Sequence, residues 1–260
     1  MSIWILLRGL TREARHWGDF PSLLGAELPG AQVLALDLPG NGSLHGMKSP
    51  TRVEAMAEHC RRELRERGMA PPYHLLAMSL GAMVAVAWGH AHPEELAACV
   101  LVNTSLRPYS PFHERLRPGS YADLLRIALW PGGARQWEES VLKLTSRSHA
   151  PGSAQREALL QRWVSWHREQ PVSRANAARQ LLAAGRYRAP QSRLAPPTLL
   201  LTSERDALVS TRCSIRLAEA WQCAIASHAQ AGHDLPLEDG TWVARQIALW
   251  LQTGVAYSST

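Results

Sequence analysis

Six short apolar runs punctuate the chain, at residues 3–7, 33–37, 74–77, 98–103, 198–202 and 224–228. Within each run neighbouring positions are apolar together instead of alternating with polar ones. A strand that is apolar on both faces is buried on both faces, as in a parallel sheet. Between the runs, apolar residues recur at helical spacing, at 17–28, 53–67, the stretch from Ser79 to about His92-Pro93, 211–221 and 241–251. Strands alternating with helices predict an α/β fold, a parallel sheet with helices on both faces. The alternation fails from about Arg107 to Pro190. There, helical stretches at 121–130, 137–144, 157–166 and 174–184 are separated by Pro and Gly, and no strand pattern is present. This region reads as a helical insertion between the fourth and fifth strands, set over the sheet as a cap. The expected division is a core in two parts, residues 1–106 and 191–260, with the cap at 107–190. After the second strand, the polar, Gly-rich stretch from Leu38 to Pro50 reads as a long loop that borders a site.

The third run leads into Leu75-Leu76-Ala77-Met78-Ser79-Leu80-Gly81-Ala82. A strand, a sharp turn and a helix are predicted, with the serine at the corner. The pattern is a variant of the G-x-S-x-G turn in which Ala77 replaces the first glycine. At such a corner the serine adopts a strained backbone conformation that lifts its hydroxyl above the sheet. The turn is tight enough that Ala77 and Gly81 are expected to pack on each other, so both must be small. The helix that follows aims its positive end at the place where negative charge would develop. Short matches of this kind are common, and a buried strand and helix with an incidental serine give the same string, so the rest of the chain decides.

Composition narrows the alternatives. A chain of 260 residues buries a large core, as one large domain or two smaller ones. The net charge of +6 is uneven: residues 107–190 hold 13 Arg and 1 Lys against 6 Asp or Glu, and the remainder is slightly acidic. The basic segment is either a solvated helical face or a surface for an anionic substrate or an acidic partner. No nucleic-acid-binding motif accompanies it. The first apolar run is five residues long and ends at Arg8-Gly9, without a basic leader or cleavage site, so it does not read as a signal peptide. The apolar region 75–88 is interrupted by Ser79 and Gly81 and is too short to span a bilayer. Cys60, Cys99, Cys213 and Cys223 lack CxxC spacing, and reduced thiols in a cytoplasmic protein are expected.

Five segments, in order, carry a resemblance: Leu6-Leu7-Arg8-Gly9-Leu10; Leu36-Asp37-Leu38-Pro39-Gly40-Asn41-Gly42; Ala77 to Gly81; Leu201-Thr202-Ser203-Glu204-Arg205-Asp206-Ala207-Leu208-Val209; and Ala231-Gly232-His233-Asp234. Together they resemble an α/β-hydrolase-fold serine hydrolase of the compact bacterial kind, such as the biotin-pathway carboxylesterase. The resemblance implies a sheet of about six parallel strands, without the two N-terminal strands many members carry. The first strand would lie between the second and third, and the reversal of winding there forms a crevice at the strands' carboxyl ends.

It also implies the site residues. Ser79 would be the nucleophile, His233 its base and Asp206 the acid that orients the imidazole, with the backbone N–H groups of Leu10 and Leu80 as the oxyanion hole. Glu204 and Asp234 compete with Asp206, whose place before Ala207-Leu208-Val209 fits the family acid. Asn103 stands where some relatives keep an alternative acid, and is not acidic. The family usually has His where this chain has Arg8, which either braces the oxyanion loop or brings a charge to the substrate. His90 and His92 read as helix-end residues instead of a metal pair, and no metal or organic cofactor is implied. The expected activity is hydrolysis of a carboxylic ester or thioester. An acyl carrier protein or acyl-CoA would supply the anionic counterpart of the basic segment and of its tryptophans, Trp130, Trp137, Trp163 and Trp166; these are also accounted for as helix-packing residues. Acyl transfer or an elimination, as in the menaquinone-pathway lyase, is a second reading of the same residues. A non-catalytic ligand- or partner-binding member is a third.

Overall fold

In a computed structural model, residues 2–129, 132–148, 150 and 152–254 are described. Six parallel strands form one sheet: β1 (Ile3–Leu7), β2 (Gln32–Leu36), β3 (Tyr73–Met78), β4 (Leu96–Val102), β5 (Thr198–Ser203) and β6 (Ala224–His228). Their order across the sheet is β2-β1-β3-β4-β5-β6. β1 is flanked on both sides, with Leu7 in register with Leu36 on one side and Ala77 on the other. The winding therefore reverses at β1 and β3, as the sequence predicts.

The period of two along each strand divides the core. Ile5, Leu7, Leu75 and Ala77 point to one face, against α2 (Val53–Glu66), α3 (Leu80–Ala91) and α9 (Thr211–Trp221). Trp4, Leu6, Leu76 and Met78 point to the other, against α1 (Phe20–Glu27) and α11 (Gly240–Gly254). Burial of these side chains from both faces is the main force holding the sheet. Two of the six strands correct the expectation of burial on both faces. β2 and β6 are the sheet edges, and Ile225 in β6 is 39% exposed.

Between β4 and β5 come α4 (Phe112–Arg115), α5 (Tyr121–Leu129), α6 (Ala134–Thr145), α7 (Ala154–Glu169) and α8 (Arg174–Arg186). Among the described residues of this region, one isolated bridge, between Arg107 and Arg188, replaces any strand. Trp130 lies outside the described residues. α6 and α7 share a small core of Leu142, Leu159 and Trp163. A buried ionic cluster ties them to the loop after β1: Arg12 donates to Glu138 at 2.6 Å, and His167 meets the same carboxylate at 2.9 Å.

The loop from Leu38 to Pro50 corrects a second expectation. It does not line the cavity described below; instead it anchors α8. The Asn176 side chain accepts from the Ser49 N–H and donates to the Met47 carbonyl, and Gln180 donates to Asn41. No helix among the described residues is long and apolar enough to cross a membrane.

Candidate active site

The corner between β3 and α3 has the backbone its sequence predicts. Ser79 sits at φ 54°, ψ −115°, a conformation that costs a non-glycine residue about 1–3 kcal/mol. The strained residue is held from both sides. Its N–H donates to the Val102 carbonyl, and its own carbonyl takes the N–H groups of Ala82 and Met83, the first turn of α3.

Glycine at position 81 is demanded by the end of β1. A Cβ there would lie 2.4 Å from the Leu7 carbonyl oxygen and 2.6 Å from that of Arg8. The end of β1 presses on Gly81. Gly9, in the loop after β1, is less tightly confined: a Cβ there would come within 3.1 Å of the Ser79 Cβ. The loop that carries Leu10 is thereby pressed against Ser79. The Leu10 and Leu80 N–H groups are engaged by no backbone acceptor among the described residues.

The loops after β5 and β6 bring Asp206 and His233 together. His233 Nδ1 lies 2.6 Å from Asp206 Oδ2, and both residues are buried. The other carboxylate oxygen of Asp206 accepts from the N–H groups of Leu208 and Val209, at 2.7 and 3.0 Å. These bonds fix which oxygen faces the imidazole. Burial pulls the His233 pKa down, but the Asp206 carboxylate outweighs it and the net direction is upward. Asp234 adds to the rise and Arg8 opposes it. Glu204 does not reach the imidazole: it accepts from Ser227, on the neighbouring edge strand.

Asp234 is occupied elsewhere. Arg8 grips it with two nitrogens, at 3.0 and 2.5 Å, and the Arg8 guanidinium also lies over the Trp17 ring. Arg8 thus carries a counter-charge from Asp234, and it also lines the cavity that holds Ser79.

Asn103 is a site residue that the sequence pattern did not single out for this task. Its side-chain nitrogen donates to the His233 carbonyl at 2.8 Å and to Ser203 Oγ at 3.0 Å, while its side-chain oxygen accepts from the Ser203 N–H. An amide can donate and accept at once, and a carboxylate could not fill this place.

Ser79 and His233 line one cavity of about 820 Å³, which extends beneath α5, α6 and α8. No hydrogen bond joins their side chains in the described residues; the imidazole is held from its Asp206 side. Such bonds are often long without substrate and shorten when one binds. The cavity is lined mostly by apolar side chains, among them Met83, Leu116, Leu124, Val141, Leu144 and Val209. His90 lies beside Trp221, and His92 meets Glu58 and Glu94 at the far end of α3.

Residues 4–246 match the model of the alpha/beta hydrolase family. The fold is similar to an esterase from Thermogutta terrifontis, with 20% identity over 97% of this chain and 90% of the other, and a TM-score of 0.70. It is also similar to the 2-hydroxy-6-oxo-6-phenylhexa-2,4-dienoate hydrolase of Rhodococcus sp. strain RHA1 (18% identity, 97% and 90% covered, TM-score 0.73). A hydrolase from Pseudomonas aeruginosa PA01 gives 19% identity, the same coverage and a TM-score of 0.74. No curated protein matches the sequence.

Proposed function

The chain belongs to the alpha/beta hydrolase family, and from that premise we propose that it is a serine hydrolase that cleaves a carboxylic ester or thioester. The observation that carries this reading is the buried 2.6 Å contact of His233 with Asp206, beside the strained Ser79 in one cavity. A serine hydroxyl is a weak nucleophile until a base takes its proton. In the proposed reaction Ser79 Oγ attacks the acyl carbon while its proton passes to His233 Nε2. Asp206 holds the other nitrogen protonated and stabilises the imidazolium.

The oxygen of the tetrahedral intermediate takes hydrogen bonds from the Leu10 and Leu80 N–H groups; losing one such donor typically costs about 3–4 kcal/mol of barrier stabilisation. The intermediate collapses, and the leaving alcohol or thiol takes the proton from His233. Water, deprotonated by the same imidazole, then releases the acyl group from Ser79. None of these steps calls for a metal or an organic cofactor.

The helical region at 107–190 acts in this reading as a cap that shapes the acyl pocket. Its basic surface supports an acyl carrier protein or acyl-CoA as the bearer of the acyl group. Three of its acids are drawn away by cations of the core: Glu114 pairs with Arg216, Glu138 with Arg12 and Glu169 with Arg15. Turnover of a carrier-bound substrate is therefore expected to weaken steeply between low and moderate salt. Salt-insensitive turnover speaks against the carrier.

Intact mass after a fluorophosphonate probe tests the nucleophile, on wild type and on Ser79→Ala, with short p-nitrophenyl esters assayed in parallel. The reading requires one adduct on wild type, none on the variant, and ester turnover. An adduct without turnover of any ester or thioester replaces hydrolysis by acyl transfer or elimination on the same residues. No adduct replaces it by a ligand-binding role.

A further inference from the structure

Four arginines line the cavity that holds Ser79: Arg8, Arg12, Arg115 and, at the exposed start of α8, Arg174; the first three are placed differently with respect to counter-charge. Arg8 and Arg12 are buried, and each has a carboxylate: Asp234 for Arg8, Glu138 for Arg12. Arg115, the last residue of α4, is half-buried and lines the same cavity as Ser79 and His233, and no carboxylate among the described residues pairs with it. Glu114 beside it is held by Arg216 and Arg212. One nitrogen of the Arg115 guanidinium donates to the Ala184 carbonyl at 2.9 Å, which fixes the group against the end of α8, and its Nε is buried without a partner.

A guanidinium cannot shed its proton to escape such a place. A cation held at an apolar wall with no counter-charge is unfavourable until an anion arrives. We infer that Arg115 binds a carboxylate of the substrate, carried on an apolar chain whose other end holds the bond that reacts. The inference rests on the proposed function for which bond reacts, and on the cavity alone for the binding. The mostly apolar lining of the cavity suits the methylene chain, and the fixed guanidinium supplies the polar anchor. Burial and the neighbouring Arg107 charge both disfavour the protonated side chain, which a bound carboxylate would offset.

Binding to the Ser79→Ala variant tests this without turnover. Monomethyl suberate, with one carboxylate and one ester end, is compared with dimethyl suberate by calorimetry. With Arg115 intact the hemiester is expected to bind about ten-fold more tightly, the scale of one charge-assisted hydrogen bond. Adding Arg115→Gln, which removes the guanidinium and its charge but keeps a polar side chain, is expected to abolish the preference. Arg115→Lys, which keeps the charge but not the fork, is expected to retain part of it.

Equal binding of the two esters with Arg115 intact overturns the inference, and this arm needs no Arg115 variant to fold. So does a preference that survives Arg115→Gln. A preference lost in Arg174→Gln but kept in Arg115→Gln moves the anion to the exposed start of α8 and overturns it too. Fluorophosphonate labelling of the wild type is read separately. No label with the hemiester preference intact removes the hydrolase reading and leaves this one. A label with no preference does the reverse.

Discussion

Arg8 and Asp234 form a two-pronged ion pair with side chains 2% and 3% exposed, and each is the direct neighbour of a proposed site residue or its loop. Arg8 precedes Gly9 and Leu10, and Asp234 follows His233, so the pair ties the loop after β1 to the loop that carries His233. Breaking a buried pair leaves one charge uncompensated, at a cost of about 3–5 kcal/mol. Arg8→Met or Asp234→Leu alone is expected to lower the urea midpoint accordingly. The double variant is expected to recover part of the loss, because no lone charge remains. Equal and additive losses in the urea series mean that the pair contributes nothing as a pair.

The pH dependence of activity follows from His233. In the proposed mechanism its imidazole must be neutral to accept the Ser79 proton, and its pKa is raised from the usual value of 6.5. The kcat/KM for a neutral ester is therefore expected to rise with pH through a limb above 6.5. Asp206→Asn removes the chief cause of the rise and leaves the burial, so the limb moves down. In the proposed mechanism it also cuts kcat by about 10⁴-fold, the scale seen when the orienting acid of such a triad is lost. Stability has the opposite sign. A raised histidine pKa contributes stability below the unfolded value, and that contribution fades as pH rises through the folded one. Wild type is expected to exceed His233→Gln in stability by more at pH 5.5 than at pH 8.5.

Glu138 reports on the junction between the helices and the core. Burial pushes its carboxyl up, but Arg12 and His167 more than offset this and hold it below 4.5. A depressed carboxyl contributes stability above its unfolded pKa and loses it as pH falls through the folded one. Glu138→Gln leaves the Arg12 guanidinium buried without its carboxylate and is expected to cost about 3–5 kcal/mol at pH 7. By pH 4 the gap to wild type should be smaller. A gap in melting temperature that is constant from pH 7 to pH 4 means that Glu138 acts there by shape and not by charge.

Much of this was legible in the sequence because it rests on local pattern. Runs with both faces apolar gave the central strands, and the string around Ser79 gave the corner with its left-handed φ. The edge strands misled for a physical reason. Ala224-Ile225-Ala226 is apolar enough to be buried, but nothing in its composition says that no strand lies beyond it. The demand for glycine at 81 was visible, while its cause was not: the Leu7 and Arg8 carbonyls approach across the sheet, a contact of residues more than seventy positions apart. The same holds for the pairing of Arg8 with Asp234, and for the loop at 38–50, whose partners Asn176 and Gln180 come from α8. Charge identity is local, but the partner is chosen by topology.

Asn103 shows how the site depends on such a long-range partner. Its backbone sits at φ 45°, a region that asparagine tolerates better than most residues, and its side chain holds the His233 carbonyl and the N–H and Oγ of Ser203. It touches no reacting atom, so its role is positioning. Asn103→Ala leaves the buried Ser203 N–H and His233 carbonyl unpartnered, at about 1–3 kcal/mol each. Asn103→Asp keeps the shape but sets a carboxylate oxygen against the buried His233 carbonyl, which needs a donor, and is expected to be the more damaging of the two. If Asn103 positions the imidazole, kcat should fall about ten-fold or more in Asn103→Ala with little change in KM, because the cavity wall is untouched. A fall in melting temperature with kcat unchanged in the surviving folded protein assigns Asn103 to the fold alone. A rise in KM at constant kcat instead assigns it to the pocket.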